Sequence, residues 1–458
     1  MDPAIALLAA LLALLTALEA TYLGYHVAVS GRSRGYTTPK GYVANLPVVA
    51  FHIPVKGESP VLLERLMASI RQLNYPKDKM KVVVVCDDHD PEPLAKVLRG
   101  EGELNIVLMC RKGGRGFKAG ALNEALNVES DVVVVLDVDS VVSPDFLLKA
   151  LPSLYESNDV AAVVTRWEPL NPKETPISEA VSFGQRFFTR GLFRGLQAAF
   201  RSSFLVGNGC LLKRRVLLMS GRWNERCVLE DVELGVRLRL KGYRVVYNDE
   251  AVAWVEHPAT YRDLKGQQRR WACGASQVMA LHFKRILTSK LSVAEKLNMM
   301  IYLTQYWGMA SLGASMILIP ILSLLGAEPP LLMLLPFAAV WLLIATIYGY
   351  RMVSYGLGLQ KPLQAVRVLG RTSALVAAMS LSALTSSLRP IFRAGCTWVV
   401  TPKGPRKRTS RGLLREEAGL SALLLLSAAL SALKATPVLL LWSLMYLAPL
   451  LYVLVRRR

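Results

Sequence analysis

The sequence predicts an α/β domain of enzyme size, inserted between apolar helices that span a membrane. Three observations predict this fold class. Apolar residues make up 52% of the 458 residues. They concentrate at 3–23 and after residue 298, and most Asp and Glu lie between those regions. Short β-rich runs alternate with helical stretches from residue 46 onwards, and acidic pairs directly follow two of these runs.

The apolar segments are long enough to cross a bilayer. They occur at 4–25, 299–325, 331–350, 418–434 and 437–454, with a weaker run at 372–388. If the weak run crossed, the basic loop that follows it would lie outside, against the positive-inside rule. We therefore predict five crossings with an outer N-terminus and place the weak run flat at the interface. Six crossings is the alternative.

The predicted organisation has three parts. Residues 1–26 form a transmembrane anchor, 46–285 a cytoplasmic catalytic domain, and 286–458 a membrane domain with an interface helix and a cytoplasmic loop at 391–416. The first segment lacks a basic start, so we interpret it as a retained anchor rather than a signal peptide. The topology predicts a multi-pass protein of the cell membrane.

The formal net charge is +21, and the basic residues lie mostly beside apolar segments. This favours contact with membrane lipids over nucleic acid. The six cysteines are far apart and lack metal-ligand spacing, so neither a disulfide framework nor a zinc site is expected. A reduced cytosolic setting fits them.

The middle of the chain predicts a mostly parallel sheet. The β-rich runs are 48–53, 82–86, 106–109, 132–136 and 160–165. In such sheets ligands bind beyond the carboxyl ends of the strands, which is where the acidic residues cluster.

Asp137-Val138-Asp139 follows a run of five apolar residues. Alternate residues of an extended chain point the same way, so both carboxylates can approach one Mg²⁺ or Mn²⁺ that also binds a diphosphate. The alternative is ordinary turn chemistry at a strand end.

Asp87 and Asp88 follow another strand and could accept hydrogen bonds from a nucleobase or ribose, or form a solvated turn. The glycine-rich stretch 113–120 allows close approach of the backbone to a nucleotide, although it is not a Walker A motif. A flexible loop is the alternative.

Glu230-Asp231 begins a helical pattern, where the helix dipole favours acidic residues. The functional interpretation makes Asp231 a general base for an acceptor hydroxyl. Further along, Gln267, Arg270 and Trp271 lie within about one helical turn, where Arg can neutralise a diphosphate and Trp can stack on a sugar. A basic amphipathic helix at the membrane surface is the alternative there.

Taken in order, these motifs resemble those of the membrane-integrated family 2 glycosyltransferases, which include cellulose, hyaluronan and chitin synthases and ceramide glucosyltransferases. The resemblance spans about 46 to 275. The matching segments are Ile53-Pro54, Asp87-Asp88, Lys118 to Asn123, Asp137-Val138-Asp139, Glu230-Asp231 and Gln267-x-x-Arg270-Trp271.

The resemblance implies a GT-A fold and inverting transfer from a nucleotide diphosphate sugar, usually a UDP-sugar, with Mg²⁺ or Mn²⁺. It implies the following roles. Asp231, with Glu230 beside it, supplies the base; Pro54, Asp87, Asp88, Lys118, Asp137 and Arg270 bind the donor; Asp139 and Asp137 bind the metal; Gln267, Trp271 and Asn208 line the donor and acceptor pocket. His257 is a weaker metal candidate, with a structural role as the alternative.

The segment Trp398 to Gly404 resembles the family's loop that closes over bound nucleotide, with Thr401 and Lys403 as its polar residues. This favours a cytoplasmic location and five crossings.

Within this family we expect polysaccharide synthesis, with a growing glycan as acceptor. Single-step glycosylation of a lipid is the alternative, since the motifs occur in both kinds of enzyme. A catalytically silent scaffold or transporter subunit is a remote alternative, because every acidic motif is retained and the spans contain almost no ionisable groups. No G-x-G-x-x-G follows the first strand, which argues against a nicotinamide dehydrogenase.

Overall fold

The computed structural model describes residues 3–38, 42–100, 102–329, 331–357, 362–397, 401–404 and 414–455. An α/β domain carries one eight-stranded sheet, and long apolar helices lie before and after it. The architecture is the predicted one. Trp398, the basic cluster at 406–408 and the C-terminal arginines 456–458 lie outside the described residues.

All five predicted strands are present, and three more join them. The strands are β1 (Val49–Val55), β2 (Met80–Cys86), β3 (Asn105–Cys110), β4 (Val132–Val135), β5 (Val141–Val142), β6 (Val160–Pro169), β7 (Cys210–Lys213) and β8 (Arg244–Val255). Their order in the sheet is β3-β2-β1-β4-β7-β6-β8-β5. The pairs β1–β2, β1–β4, β2–β3 and β6–β8 are parallel, whereas β7 is antiparallel to both its neighbours. The prediction of a mostly parallel sheet missed this antiparallel insertion.

The central strands are apolar on both faces because helices cover both sides of the sheet. Val132 and Val134 pack into one core cluster with Phe51 and Ile53. Val133 and Val135, which point the other way, pack into a second cluster on the opposite face. This burial explains why β4 is an unbroken valine run rather than an alternating one.

The helices of this domain are α2 (Pro60–Arg71), α3 (Glu92–Arg99), α4 (Phe117–Ala125), α5 (Phe146–Leu154), α6 (Pro176–Arg186), α7 (Arg194–Phe200), α8 (Arg214–Met219), α9 (Glu230–Leu240) and α10 (Tyr261–Leu287). A π-helix at Phe187–Phe193 joins α6 to α7. Thr175 starts α6 with a capping box, and Pro176 occupies the first turn. The Thr260 side chain caps α10.

The apolar helices are α1 (Pro3–Gly31), α11 (Val293–Leu303), α12 (Tyr306–Leu325), α13 (Leu331–Gly356), α14 (Pro362–Leu388), α15 (Arg415–Leu433) and α16 (Pro437–Val455). In the described part of the chain, six helices are long and apolar enough to cross a membrane, including α14. The run predicted at 299–325 is two helices, α11 and α12, separated at residues 304–305.

Helix α14 packs against both the α/β domain and the other apolar helices. Leu375 and Ala378 share a cluster with Ile177 of α6 and Tyr261 of α10. The same cluster includes Met316 of α12 and residues of α15 and α16. Helix α14 therefore connects the α/β domain to three of the long helices.

Candidate active site

An open cleft lies beyond the carboxyl ends of β1, β2 and β4, with an empty volume of about 1050 Å³ including its mouth. Most of the side chains predicted from the sequence line it. These are Pro54, Asp87, Lys118, Asp137, Asp139, Asn208, Glu230, Asp231, Gln267, Arg270, Trp271, Thr401 and Lys403. Residues up to 349 positions apart in the chain, from 54 to 403, therefore meet in one site.

The two aspartates after β4 are each held by a lysine. Lys118 Nζ donates to Asp137 Oδ1 at 2.6 Å, and the Lys403 ammonium contacts Asp139 Oδ2. Burial opposes ionisation of Asp137, but the charges of Lys118 and Lys403 outweigh it and hold its pKa below the usual value. Asp139 is 3% exposed, and burial together with the charge of Asp137 raises its pKa despite Lys403.

Asn208 fixes the turn that carries these aspartates. Its Oδ1 atom accepts from the backbone N–H of Asp137 at 3.0 Å and from Ser140 Oγ at 3.0 Å. Asn208 is buried, and it lines the cleft as predicted. The geometry therefore assigns its amide oxygen to positioning the Asp137–Asp139 turn.

Glu230 and Asp231 begin α9 on the other side of the cleft. Asp231 Oδ2 accepts from the Gly207 backbone N–H at 2.5 Å, and Oδ1 accepts from the Val232 N–H at 2.8 Å. A Cβ atom at Gly207 would lie 2.9 Å from Asp231 Oδ2, so this close approach requires glycine. Asp231 is thus held by two backbone donors.

The surroundings of this pair make both carboxyls more basic. Burial, and then the neighbouring charge of Asp231, raise the pKa of Glu230 to about 7. Burial also raises the pKa of Asp231, against the nearby charge of Lys118 and the backbone donors. A carboxylate whose pKa is raised by burial is a stronger proton acceptor, as a general base requires.

Asp87 forms a bidentate pair with Arg111, with both N···O distances at 2.7 Å. Arg111 directly follows β3, as Asp87 follows β2, so two neighbouring parallel strands deliver the pair to the same edge of the sheet. Asp88 is not among the cleft residues; its Oδ1 atom accepts from the Gly57 N–H at 2.5 Å. A direct nucleotide contact by Asp88 stays a prediction.

Helix α10 contributes Gln267, Arg270 and Trp271 from one face, as their three- and four-residue spacing predicts. Gln268 anchors the helix, because its Oε1 atom accepts a hydrogen bond from Tyr306 Oη at 2.9 Å. This bond joins α10 to the start of α12. It places the cleft directly beside the apolar helices.

Sequence reasoning missed several cleft residues. Glu58 and Lys56 follow β1, and Trp167 lies late in β6, where its Nε1 donates to the Asn208 carbonyl at 2.8 Å. The rule that ligands bind beyond strand ends could have indicated Glu58, and also Arg111, which does not line the cleft but pairs with Asp87. Trp167 gave no signal, because it lies inside a strand.

Thr401 and Lys403 reach the cleft from the segment after α14. The Gly404 N–H donates to Glu256 Oε1 at 2.7 Å, and Glu256 Oε2 accepts from Arg65 at 3.1 Å. Arg65 also donates to the carbonyl of Asp139 at 2.9 Å. The described part of this loop is therefore joined to the Asp137–Asp139 turn in two ways. One is the contact of Lys403 with Asp139, and the other is the series of bonds through Glu256 and Arg65.

His257 does not line the cleft. Its backbone pairs with the Asn171 side chain, and its buried Nε2 atom has no hydrogen-bond partner among the described residues. Burial, followed by the charges of Lys403 and Arg186, lowers its pKa to about 3. The lowered pKa favours the neutral imidazole, and a metal role for His257 stays a prediction.

The expectation that no cysteines pair was wrong. Cys273 of α10 and Cys396 form a disulfide across 123 residues of sequence, with Cα atoms 5.8 Å apart. Such a pairing cannot be deduced from spacing, because it depends on the packing of α14 against α10. The bond joins the helix of Gln267 and Trp271 to the segment that precedes Thr401. The cysteines therefore no longer indicate a reduced setting.

The chemistry of two cleft carboxylates suits a divalent cation. Among the described residues no group of three or more His, Cys, Asp or Glu side chains could hold a metal. Asp139 and Asp137 nevertheless place two carboxylates in the cleft, each now paired with an ammonium group. Mg²⁺ is commonly bound by one or two carboxylates together with substrate phosphates, so two ligands suffice.

Comparison with known proteins agrees with this geometry. A family model described as "Glycosyltransferase like family 2" matches residues 47–274. The chain belongs to glycosyltransferase family 2 and is an enzyme of that class. Its α/β domain has the GT-A fold, as the sequence resemblance implied.

A "Probable glycosyltransferase" of Sulfolobus acidocaldarius is 27% identical over 382 residues, covering 81% of this chain and 80% of that protein. "Probable glucomannan 4-beta-mannosyltransferase 6" of Oryza sativa subsp. japonica is 32% identical over 271 residues, 56% of this chain and 46% of that protein. The chain thus spans about half the length of this plant relative.

The fold is also similar to a solved structure. The mannosyltransferase PcManGT from Pyrobaculum calidifontis, in complex with GDP-Man and Mn²⁺, superposes with a TM-score of 0.55 at 21% identity. The match covers 83% of this chain and 99% of that one.

Proposed function

We propose that this chain transfers a sugar with inversion from a nucleotide diphosphate sugar to a hydroxyl acceptor. The observation that carries the proposal is the arrangement around Asp231. Its partly buried carboxylate faces the same cleft as the Asp137–Asp139 pair and is fixed by two backbone donors. One base and one diphosphate site are what a single inverting displacement needs.

In the proposed step, Asp231 accepts the proton of the acceptor hydroxyl while the oxygen of that hydroxyl bonds to the anomeric carbon. The bond from that carbon to the diphosphate breaks, and the nucleotide diphosphate leaves with the electron pair. Lys118 and Arg270 lie in the cleft, where their positive charges stabilise the departing diphosphate. A cation held by Asp139 and Asp137 would add Lewis-acid stabilisation of the same leaving group.

For the donor, we propose a mannosyl donor, GDP-mannose, in place of the UDP-sugar expected from the sequence. The support is the name of the plant relative, a probable glucomannan mannosyltransferase, and the GDP-Man and Mn²⁺ in the similar structure. A UDP-sugar is the alternative donor, and either Mg²⁺ or Mn²⁺ suits the two carboxylates.

For the acceptor, we propose a growing glycan, with single addition to a lipid as the alternative. The support is the name glucomannan mannosyltransferase carried by plant relatives. Both products fit a cleft that opens beside the apolar helices, as the bond between Tyr306 and Gln268 requires.

We propose five crossings, with α14 lying along the cytoplasmic surface. The support is that charged contacts tie the helix to the α/β domain at two separated points. Arg371 contacts Glu179 of α6, and Ser382 donates to Glu416, which pairs with Lys265 of α10 at 2.8 Å. In this topology the Cys273–Cys396 disulfide lies on the cytoplasmic side. Disulfides persist in intracellular proteins of hyperthermophiles, so the bond is compatible with that location.

The test is nucleotide release by the purified chain in lipid, supplied in turn with GDP-mannose and a panel of UDP-sugars. Each donor is tried with Mg²⁺, with Mn²⁺ and with EDTA, and the products are sized. We expect GDP release that needs metal, and long products. Short lipid-linked products would establish the alternative acceptor, and no turnover with any donor would refute the proposal.

A further inference from the structure

A second charged cluster lies outside the cleft. Arg186, Arg190 and Arg194 recur every fourth residue along α6, the π-helix and α7. Arg166 of β6 joins them from the strand. None of these four arginines lines the cleft. We call these four side chains the arginine cluster.

Two carboxylates serve the arginine cluster. Glu168 pairs with Arg166 at 3.4 Å and with Arg186 at 3.6 Å, and it contacts Arg190. Asp249 pairs with Arg166 at 3.4 Å and contacts Arg194. Four guanidinium groups facing two carboxylates leave two positive charges in excess among the described residues.

The arginine cluster also has donors to spare. The buried Nε atoms of Arg190 and Arg194 have no hydrogen-bond partner among the described residues, whereas those of Arg166 and Arg186 lie 3.4 Å and 3.6 Å from Glu168. At the same time the four side chains are 25% to 37% exposed, so a ligand can reach their outer N–H groups. An excess of positive charge on partly exposed guanidinium groups favours binding of an anion.

The arginine cluster lies at the ends of two apolar helices. Arg186 Nη1 donates to the carbonyl of Gly356, the last residue of α13, at 3.5 Å. Tyr355 Oη donates to the carbonyl of Ser30 at the end of α1, at 3.1 Å. The Tyr355 ring also packs beside Gly191 of the π-helix. An anion bound here would be at the level where candidate membrane helices meet the α/β domain.

We propose that the arginine cluster binds the phosphate group of an anionic lipid headgroup. Guanidinium groups bind phosphate oxygens bidentately, and juxtamembrane arginines attract anionic lipids. The position at the ends of α1 and α13 favours a lipid over free phosphate as the source. The proposal is independent of the catalytic cleft and of the donor it uses.

The purified full chain is placed in nanodiscs that contain phosphatidylcholine and phosphatidylglycerol. The test measures how much phosphatidylglycerol stays bound to the chain when it is taken out of them. We expect Arg190→Gln and Arg194→Gln each to weaken retention about fivefold, which corresponds to about 1 kcal/mol. Arg99→Gln is the matched control, because its pair with Glu92 is exposed and distant from the cluster. It should retain lipid as the unmodified chain does.

Glu168→Gln should change lipid retention in the opposite direction, and it removes no arginine. It raises the excess positive charge of the cluster, so retention of phosphatidylglycerol should increase. A merely structural role for these ion pairs predicts no gain in that variant. Equal retention by the unmodified chain, Arg190→Gln and Glu168→Gln would overturn the proposal. Inorganic phosphate alone, if it displaced the lipid fully at equal concentration, would overturn the lipid as source.

Discussion

The two carboxylate pairs of the cleft differ in what holds them. Asp137 and Asp139 are held by the ammonium groups of two lysines that come from distant segments. Asp231 is held by backbone N–H groups, one of them from its own helix turn. Both pairs line one site. Glu230, beside Asp231, lies 3.9 Å from the Lys118 ammonium, but the Asp231 carboxylate itself is held by backbone donors.

This difference indicates different tasks. An ammonium group can be exchanged for a metal ion, because both neutralise the same carboxylate charge. Backbone donors cannot move away, so they hold a proton acceptor in a fixed position while leaving it open to the cleft. We therefore infer that the Asp137–Asp139 pair exchanges cations during turnover and that the Asp231 carboxylate stays in place.

The largest expected effect is that of Asp231→Asn. The amide keeps the volume of the side chain but cannot accept the acceptor's proton, so turnover should fall by about 10²- to 10⁴-fold. The measurement is release of nucleotide diphosphate by the purified variant in lipid. Asp145→Asn is the control, because that side chain is 46% exposed and lies outside the cleft. Unchanged turnover in Asp231→Asn would remove this residue from the mechanism.

Asp139→Ala should act on binding rather than on proton transfer. Loss of a metal ligand should weaken Mn²⁺-dependent binding of GDP by about a hundredfold, since a bound metal contributes several kcal/mol of charge stabilisation. Calorimetric titration of GDP with and without Mn²⁺ measures this. GDP binding in EDTA should be the same as in the unmodified chain. Equal affinity of both chains with Mn²⁺ would exclude Asp139 as a ligand.

Lys403→Met tests the exchange of cations directly. The Lys403 ammonium contacts Asp139, so a metal must displace it. Its removal should tighten binding of Mn²⁺ alone by about tenfold, because a hydrogen bond to a charged group is worth about 1.5 kcal/mol. Electron paramagnetic resonance of free Mn²⁺ measures the affinity without turnover. Lys149→Met, whose side chain is 43% exposed, is the matched control. Weaker Mn²⁺ binding in Lys403→Met would contradict the exchange.

Glu58→Gln should give the smallest effect, on stability. Burial, and then the charges of Asp139 and Asp137, raise the pKa of Glu58 from 4.5 to about 7. A raised pKa contributes stability at pH values below the unfolded value, and this contribution is lost as pH rises through the folded value. Above that pH the ionised carboxylate destabilises the fold by about 1 kcal/mol, because solvent reaches this partly exposed side chain and screens its charge.

Because glutamine cannot ionise, the Glu58→Gln variant should unfold at a higher temperature than the unmodified chain at about pH 8. The two should coincide at about pH 4, where both side chains are neutral. Thermal unfolding in metal-free buffer is the measurement, and the exposed Glu92→Gln is the control. A pH-independent difference would show that the effect is packing rather than ionisation.

Much of the site was predictable because its residues follow strands or share a helix face. Asp87, Asp137 and Asp139 obey the rule for strand ends, and the residues of α10 obey helical spacing. The contacts that join distant segments were not predictable. Lys403 and Asp139 are 264 residues apart, and no local pattern encodes their approach.

The parts of the fold that escaped prediction have similar causes. β7 has four residues and inserts antiparallel between β4 and β6, an arrangement decided by sheet packing rather than by periodicity. The Cys273–Cys396 disulfide depends on how α14 lies against α10. Glu58 was missed because it follows β1 by three residues and is no part of an acidic pair.

The most direct test of the account is calorimetric titration of GDP-mannose into Asp231→Asn with Mn²⁺, followed by an assay of the same sample for released GDP. We predict binding as tight as in the unmodified chain, together with loss of GDP release. Wild-type release would contradict the assignment of the base. Loss of binding would contradict the separation of the two carboxylate pairs into a cation site and a proton acceptor.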